Sequence, residues 1–211
     1  MTMLSLLATG GWLMAPILVL AVIAVAIILE RFWYLRANYV LAEPIFDQAF
    51  DLLEHPAKKL AQWRDKVSHS PLGYMLVEGL EAKGQGRLAM EERMETAGRH
   101  AVLALERHLG TLGTIAAVSP LLGLLGTVFG MIKSFGALSA SAQVDALALA
   151  SGISEALLTT AAGLLIAIPC LFFYRYFQRR IDVLAALLEQ HAKIFIERAD
   201  QQRESHYAVS T

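Results

Sequence analysis

Glu155 is a carboxylate placed where carboxylates are costly. It follows Asp145 by ten residues and directly precedes Ala156–Tyr174, a run without Asp, Glu, Lys or Arg. An ionisable side chain inside a membrane span costs about 2.5–3.5 kcal/mol on insertion scales. Desolvation disfavours the ionised form of carboxylic acids in general, which brings their proton exchange towards neutral pH. Two roles fit such a residue. It is either a proton-exchanging group on an ion path, or a carboxylate near the outer surface that snorkels into water.

The residues around it form a pattern. At 100° per residue, Gly152, Ala156, Thr159, Thr160, Gly163, Ala167 and Cys170 share one sector with Glu155, and Leu157, Leu158, Leu164, Leu165, Ile168 and Leu171 occupy the other side. Glu155 and Thr160 lie at the two margins of the small, polar sector. Upstream, Ala116, Pro120, Gly123, Thr127, Gly130 and Ser134 recur at steps of three and four, and Gly126 with Gly130 makes a small-xxx-small pair. Small residues let helix backbones approach closely in lipid. Thr127 lies five residues inside Ile132, so in an antiparallel hairpin it is expected at the depth of Glu155. Pro16, Pro120 and Pro169 put one proline in each span, where the lost backbone bond is tolerated if neighbours or water replace it.

Other chemistries find no support. No phosphate-cradling glycine loop, nucleophile elbow or His-Glu-x-x-His motif occurs, so no enzyme and no cofactor is expected. The six histidines lack ligand spacing, and Cys170 is the only cysteine, which excludes disulfide frameworks and Cys-rich metal sites. Glu91, Glu92 and Glu95 read as one solvated helix face. No concentrated basic face suggests nucleic acid.

The elements that must position Glu155 are membrane helices. The chain is 56% hydrophobic with a mean hydropathy of +0.50, and its apolar residues are clumped. Met1–Leu29, Leu109–Ile132 and Ala156–Tyr174 are uncharged, and about 20 residues suffice to cross a bilayer core. The expected architecture is one all-α domain over 1–211, in contact with the lipid bilayer. Its spans fall at about 12–33, 109–132 and 150–174, with cytoplasmic segments at 34–108 and 175–211. No basic residue precedes the first apolar run, and its length exceeds a signal-peptide core, so it is expected to be retained. Of 18 Lys and Arg, 11 fall in 30–108, one (Lys133) between the second and third spans, and six from Arg175 onward. The positive-inside rule therefore places the N-terminus and the 133–145 link outside and the C-terminus inside.

Within 34–108, breaks are expected at His55-Pro56, at Ser68-His69-Ser70-Pro71 and at Gly84-Gln85-Gly86. Met90, Met94, Ala97, Ala101, Leu105 and Leu109 then keep helical spacing into the second span with no breaker. Phe177, Ile181, Leu184, Leu188 and His191 do the same after the third. Both spans are thus expected to extend into the cytoplasm as long helices.

Ser119–Ile132 (SPLLGLLGTVFGMI) and Gly152–Pro169 (GISEALLTTAAGLLIAIP) resemble the second-span and third-span signatures of the MotA/TolQ/ExbB proton-channel family. The wording SEALLTT is most similar to ExbB-type biopolymer transport proteins. The resemblance implies a bacterial inner-membrane channel subunit, a homopentamer around a dimer of an ExbD/TolR-like single-span partner that carries a protonatable aspartate. It further implies a TonB-like effector that receives the work of proton flow. It assigns Thr127, Glu155 and Thr160 to the proton path, with Thr159 an additional hydroxyl, and gives Pro120, Gly123, Gly126, Gly130, Gly163 and Pro169 packing and kink roles. A TolQ-like envelope subunit and a non-conducting scaffold with a structural Glu155 ion pair are the alternatives.

The charge asymmetry makes a direct prediction. A cysteine at Ala140 labels with an impermeant thiol reagent in intact spheroplasts, and one at Gly84 labels only after lysis. The reverse accessibility would overturn the orientation.

Overall fold

A computed structural model of the chain describes residues 11–41, 43–54, 56–67, 69–140 and 146–209. The expectations for residues 1–10, His55, Ser68 and 141–145 lie outside these. Among the described residues every regular element is helical: α1 Met14–Tyr34, α2 Ala37–Val40, α3 Glu43–Glu54, α4 Pro56–Val67, α5 Pro71–Ala82, α6 Arg87–Glu106, α7 Leu109–Ala140 and α8 Ala146–Val209. Among the described residues three helices are long and apolar enough to cross a membrane, and they overlap the expected spans.

The contacts divide the chain into two compact units, 1–30 with 108–176 and 31–107 with 177–211. The first holds α1 up to Glu30, α7 and the N-terminal part of α8. Its centre is the α7–α8 seam. On α7 the buried positions are Leu109, Leu112, Ile115, Ala116, Ser119, Gly123, Gly126, Gly130 and Ser134, and on this part of α8 they are Gly152, Ala156, Thr159, Gly163, Ala167 and Cys170. The approach is too close for larger residues. A Cβ at Gly130 would stand 2.7 Å from Gly152 O and 2.8 Å from Ala156 Cβ, and one at Gly163 would stand 2.5 Å from Ser119 O. Leucines on both helices point away: Leu121, Leu124, Leu157 and Leu165 are all exposed.

Two expectations need correction. The small ridge of α7 holds at Ala116, Gly123, Gly130 and Ser134, but Ser119 and Gly126 take the seam places expected for Pro120 and Thr127, which are half-buried beside it. The expected α6–α7 continuity also fails. Arg107 leaves the helix at ψ 139 and His108 adopts φ 60. Neither Gly nor Pro marks the break. Histidine is among the residue types enriched in the left-handed region, and His108 Nδ1 lies 3.0 Å from Glu30 Oε2.

The second unit packs α2–α6, the end of α1 and the C-terminal part of α8. Ser70 caps α5, accepting from Gly73 N at 3.3 Å and donating to Val40 O at 3.1 Å, with Pro71 in the first turn. A short 3-10 turn at Lys83–Gln85 and Gly86 at φ 106 separate α5 from α6, where the glycine-rich break is expected. Only a residue without Cβ adopts that φ cheaply. Met90, Met94, Ala97, Ala101 and Leu105 are buried on α6, and Phe177, Ile181, Leu184 and Leu188 on α8. The α8 stripe continues through Ala192, Phe195, Ile196 and Ala199. His191 stays half-buried, its ring nitrogen 2.7 Å from Leu187 O. Arg31, 2% exposed, donates to Leu105 O at 3.0 Å and stacks on Tyr34. That carbonyl belongs to the last turn of α6, whose carbonyls lack helical donors.

The seam generates a prediction. Gly130→Leu must push α7 and α8 apart, with a destabilisation of about 1–3 kcal/mol seen as a lower thermal midpoint in detergent. Gly110→Ala, where no heavy atom lies within 4 Å of the new Cβ, leaves the midpoint unchanged or slightly raised. Equal midpoints for the two variants would mean that the close approach does not hold the hairpin.

Candidate functional site

The antiparallel register of α7 against α8 fixes what each polar residue meets. A Cβ built on Gly126 would run into the Thr159 hydroxyl, and one on Gly123 would lie 3.0 Å from Thr160 Cα. Ser134 donates to Gly130 O at 2.9 Å and reaches Leu149 O on α8 at 3.4 Å. At the other end, the Tyr174 ring covers Gly113. By this register Thr127 stands opposite the level of Thr159. It is roughly one turn, about 5 Å, deeper than Glu155, and the two are not level as expected.

The hydroxyls fall into two groups. Thr159 is 1% exposed inside the seam, and its Oγ1 donates to Glu155 O at 3.0 Å and Ala156 O at 2.9 Å of its own helix. Ser119 Oγ likewise donates to Ile115 O at 2.7 Å. Back-bonding satisfies a buried hydroxyl without any partner helix. Thr160, half-buried at the seam edge, donates across to Gly123 O on α7 at 2.9 Å. Thr127 is one turn further along α7. Its hydroxyl donates to Leu124 O at 2.7 Å, and its side chain lines a shallow apolar groove of about 600 Å³ with Val128, Met131, Ile132, Phe135 and Gly136. Thr127 and Thr160 therefore share one flank of the hairpin.

Glu155 is on the other flank. It stands about 140° from Thr160 around α8, with the buried Ala156, Thr159 and Gly163 between them. Lys133 Nζ donates to Glu155 Oε2 at 2.7 Å, with side-chain exposures of 67% and 19%. The other carboxylate oxygen, Oε1, faces Gly11, where a Cβ would overlap it and the backbone has φ +69. Trp12, next to Gly11, meets Phe129 edge-on at 5.8 Å. The start of the first span, α7 and α8 thus converge on the carboxylate. Lys133 and Gly11 are not singled out by the sequence analysis. The available signal is that Lys133 is the one basic residue between the second and third spans.

No rival site emerges among the described residues. No group of three or more His, Cys, Asp or Glu is arranged to hold a metal. A groove of about 1040 Å³ runs between α6 and the later part of α8, lined by Met75, Met94, Leu188 and Ile196 among others. Its charges include the surface pairs Arg87–Glu91, Arg99–Glu95 and Lys193–Glu189. Hydrogen bonding to Lys193 holds Glu189 below the ordinary carboxylate range, and the same contact raises Lys193. Exposed pairs of this kind contribute little.

Comparison with known proteins bears on this geometry. The model of the MotA/TolQ/ExbB proton channel family matches residues 67–190, more than half of the chain and all of the α7–α8 seam. Biopolymer transport protein ExbB-like 1 of Synechocystis sp. is 30% identical over 195 residues, covering 89% of this chain and 77% of that protein. ExbB of Salmonella typhimurium is 40% identical over 111 residues, covering 53% and 43%. TolQ of Haemophilus influenzae is 40% identical over 91 residues, covering 43% and 40%. With the family model spanning both signature helices and a relative matched over nearly all of the chain, this protein belongs to the MotA/TolQ/ExbB proton channel family.

Proposed function

We propose that this chain is the ExbB-type channel subunit of an inner-membrane complex that uses the proton gradient to power transport or work at the outer membrane. The observation that carries the reading is Glu155. It is the only carboxylate within 109–132 and 150–174, and it is held at the edge of a glycine-rich helix seam with one oxygen on Lys133. A bare proton path needs exchangeable or hydrogen-bonding groups in series, and Thr127, Thr160 and Glu155 supply them. Thr159, buried and back-bonded, supports the seam that holds the other three.

The two flanks of the hairpin bear on assembly. Thr127 and Thr160 face one way and Glu155 the other, so a route past all three needs a second copy or a partner helix to bring the flanks together. A homopentamer with the N-terminus periplasmic and the C-terminus cytoplasmic meets this need. A single-span partner of the ExbD/TolR type inside the ring would contribute the aspartate that accepts the proton, and a TonB-like protein would receive the work. The equal identity to a TolQ and to an ExbB favours no subtype, and a TolQ-like envelope role is the near alternative. One observation favours the more distant scaffold reading: the Lys133–Glu155 contact is a structural ion pair if nothing exchanges with it.

Substitutions separate channel from scaffold. Glu155→Gln keeps volume and removes charge. Thr160→Val keeps shape and removes the hydroxyl bonded to Gly123 O, a loss of about 0.5–1.5 kcal/mol. Both are expected to co-purify with the single-span partner and to fail, Glu155→Gln more severely, in a growth or uptake assay that depends on the complex. Glu155→Asp retains partial activity. If Glu155→Gln and Thr160→Val both assemble and work as the parent does, the polar residues are packing and the scaffold reading stands.

A further inference from the structure

The two oxygens of the Glu155 carboxylate meet different neighbours. Oε2 accepts from the Lys133 ammonium at 2.7 Å, and Oε1 lies so close to Gly11 that no side chain fits there. The carboxylate is mostly covered at 19% exposed, whereas the lysine is 67% exposed. The cation is therefore the solvent-facing half of the pair. It reaches in from α7, one residue beyond the uncharged run that ends at Ile132.

From this geometry we infer that Lys133 is a specificity-determining residue: its ammonium occupies the cation position at Glu155 and closes that carboxylate to sodium. The inference rests on the channel reading and deepens it by naming a residue that keeps this carboxylate to protons. A metal cation at Glu155 needs several oxygen ligands around it. Here one carboxylate oxygen is held by an ammonium and the other lies against Gly11. A proton needs only one oxygen and no shell, so it can add to the carboxylate without displacing the ammonium, whereas sodium must take the ammonium's place. Lysine serves because it is a compact charge on a flexible stem. Arginine keeps the charge and preserves the exclusion. A neutral residue leaves a charge in an apolar setting, which takes up a proton or an available cation instead.

The test needs neither a partner nor a gradient, so its failure is separable from failure of the channel reading. The full chain in lipid nanodiscs is treated with a hydrophobic carbodiimide, which reacts with the acid form of a carboxyl group. Modification of Glu155 is followed by mass spectrometry of its peptide. The parent and Lys133→Arg are expected to react slowly, at rates unchanged by sodium chloride relative to choline chloride. Lys133→Met and Lys133→Gln react about tenfold faster in choline chloride, the scale on which a neighbouring opposite charge acts, and sodium slows them back towards the parent rate. Equal rates in the parent and both neutral variants would show that the ammonium does not hold the carboxylate. Fast variants indifferent to sodium, or a parent slowed by sodium, would show that Lys133 does not exclude the metal ion. Either outcome overturns the assignment.

Discussion

The first unit of this molecule depends on the close approach of two backbones. Between helices in lipid no hydrophobic drive exists, because the alternative surroundings are as apolar as leucine. Attraction must come from packing, and packing at that range requires side chains that end at or near Cα. Gly123, Gly126, Gly130, Gly152 and Gly163 supply it, and Ala156, Thr159 and Ser134 fill the gaps between them. The bulky residues are thereby left outside, as with the exposed Leu121, Leu124, Leu157 and Leu165.

That seam also sorts the polar groups. A hydroxyl caught inside it is satisfied by its own helix, as with Thr159 and Ser119, and is removed from any aqueous path. A hydroxyl at its edge reaches across, as Thr160 does to Gly123 O. A carboxylate at the opposite edge finds the one lysine that the same register brings alongside. The arrangement is a strip with hydroxyls on one flank and an ion pair on the other. On the proposed reading it becomes a conduit only when its flanks are joined to other surfaces.

Much of this was legible in the residues. Helix existence followed from apolar run length, the buried stripes of α6 and α8 from 3-4 spacing, and the starts of α4 and α5 from Pro56 and from Ser70-Pro71. The small sector of α8 is the one that packs against α7, and by itself a small polar face serves a wet interior and a tight helix contact equally well. On α7 the exchange of Pro120 for Ser119 and of Thr127 for Gly126 escaped for a related reason: the members of each pair are adjacent small residues, and only the facing helix chooses between them. The break at Arg107 and His108 has no Gly or Pro to announce it. The pairing of Lys133 with Glu155 depends on hairpin register, which composition does not carry.

The central claim is that a strip with divided flanks works only as part of a ring. Native mass spectrometry of the purified chain in mild detergent tests it most directly. The account predicts one dominant closed homo-oligomer, a pentamer by family membership, that persists in Glu155→Gln and Thr160→Val. Monomers or dimers alone would leave the two flanks unjoined and contradict it.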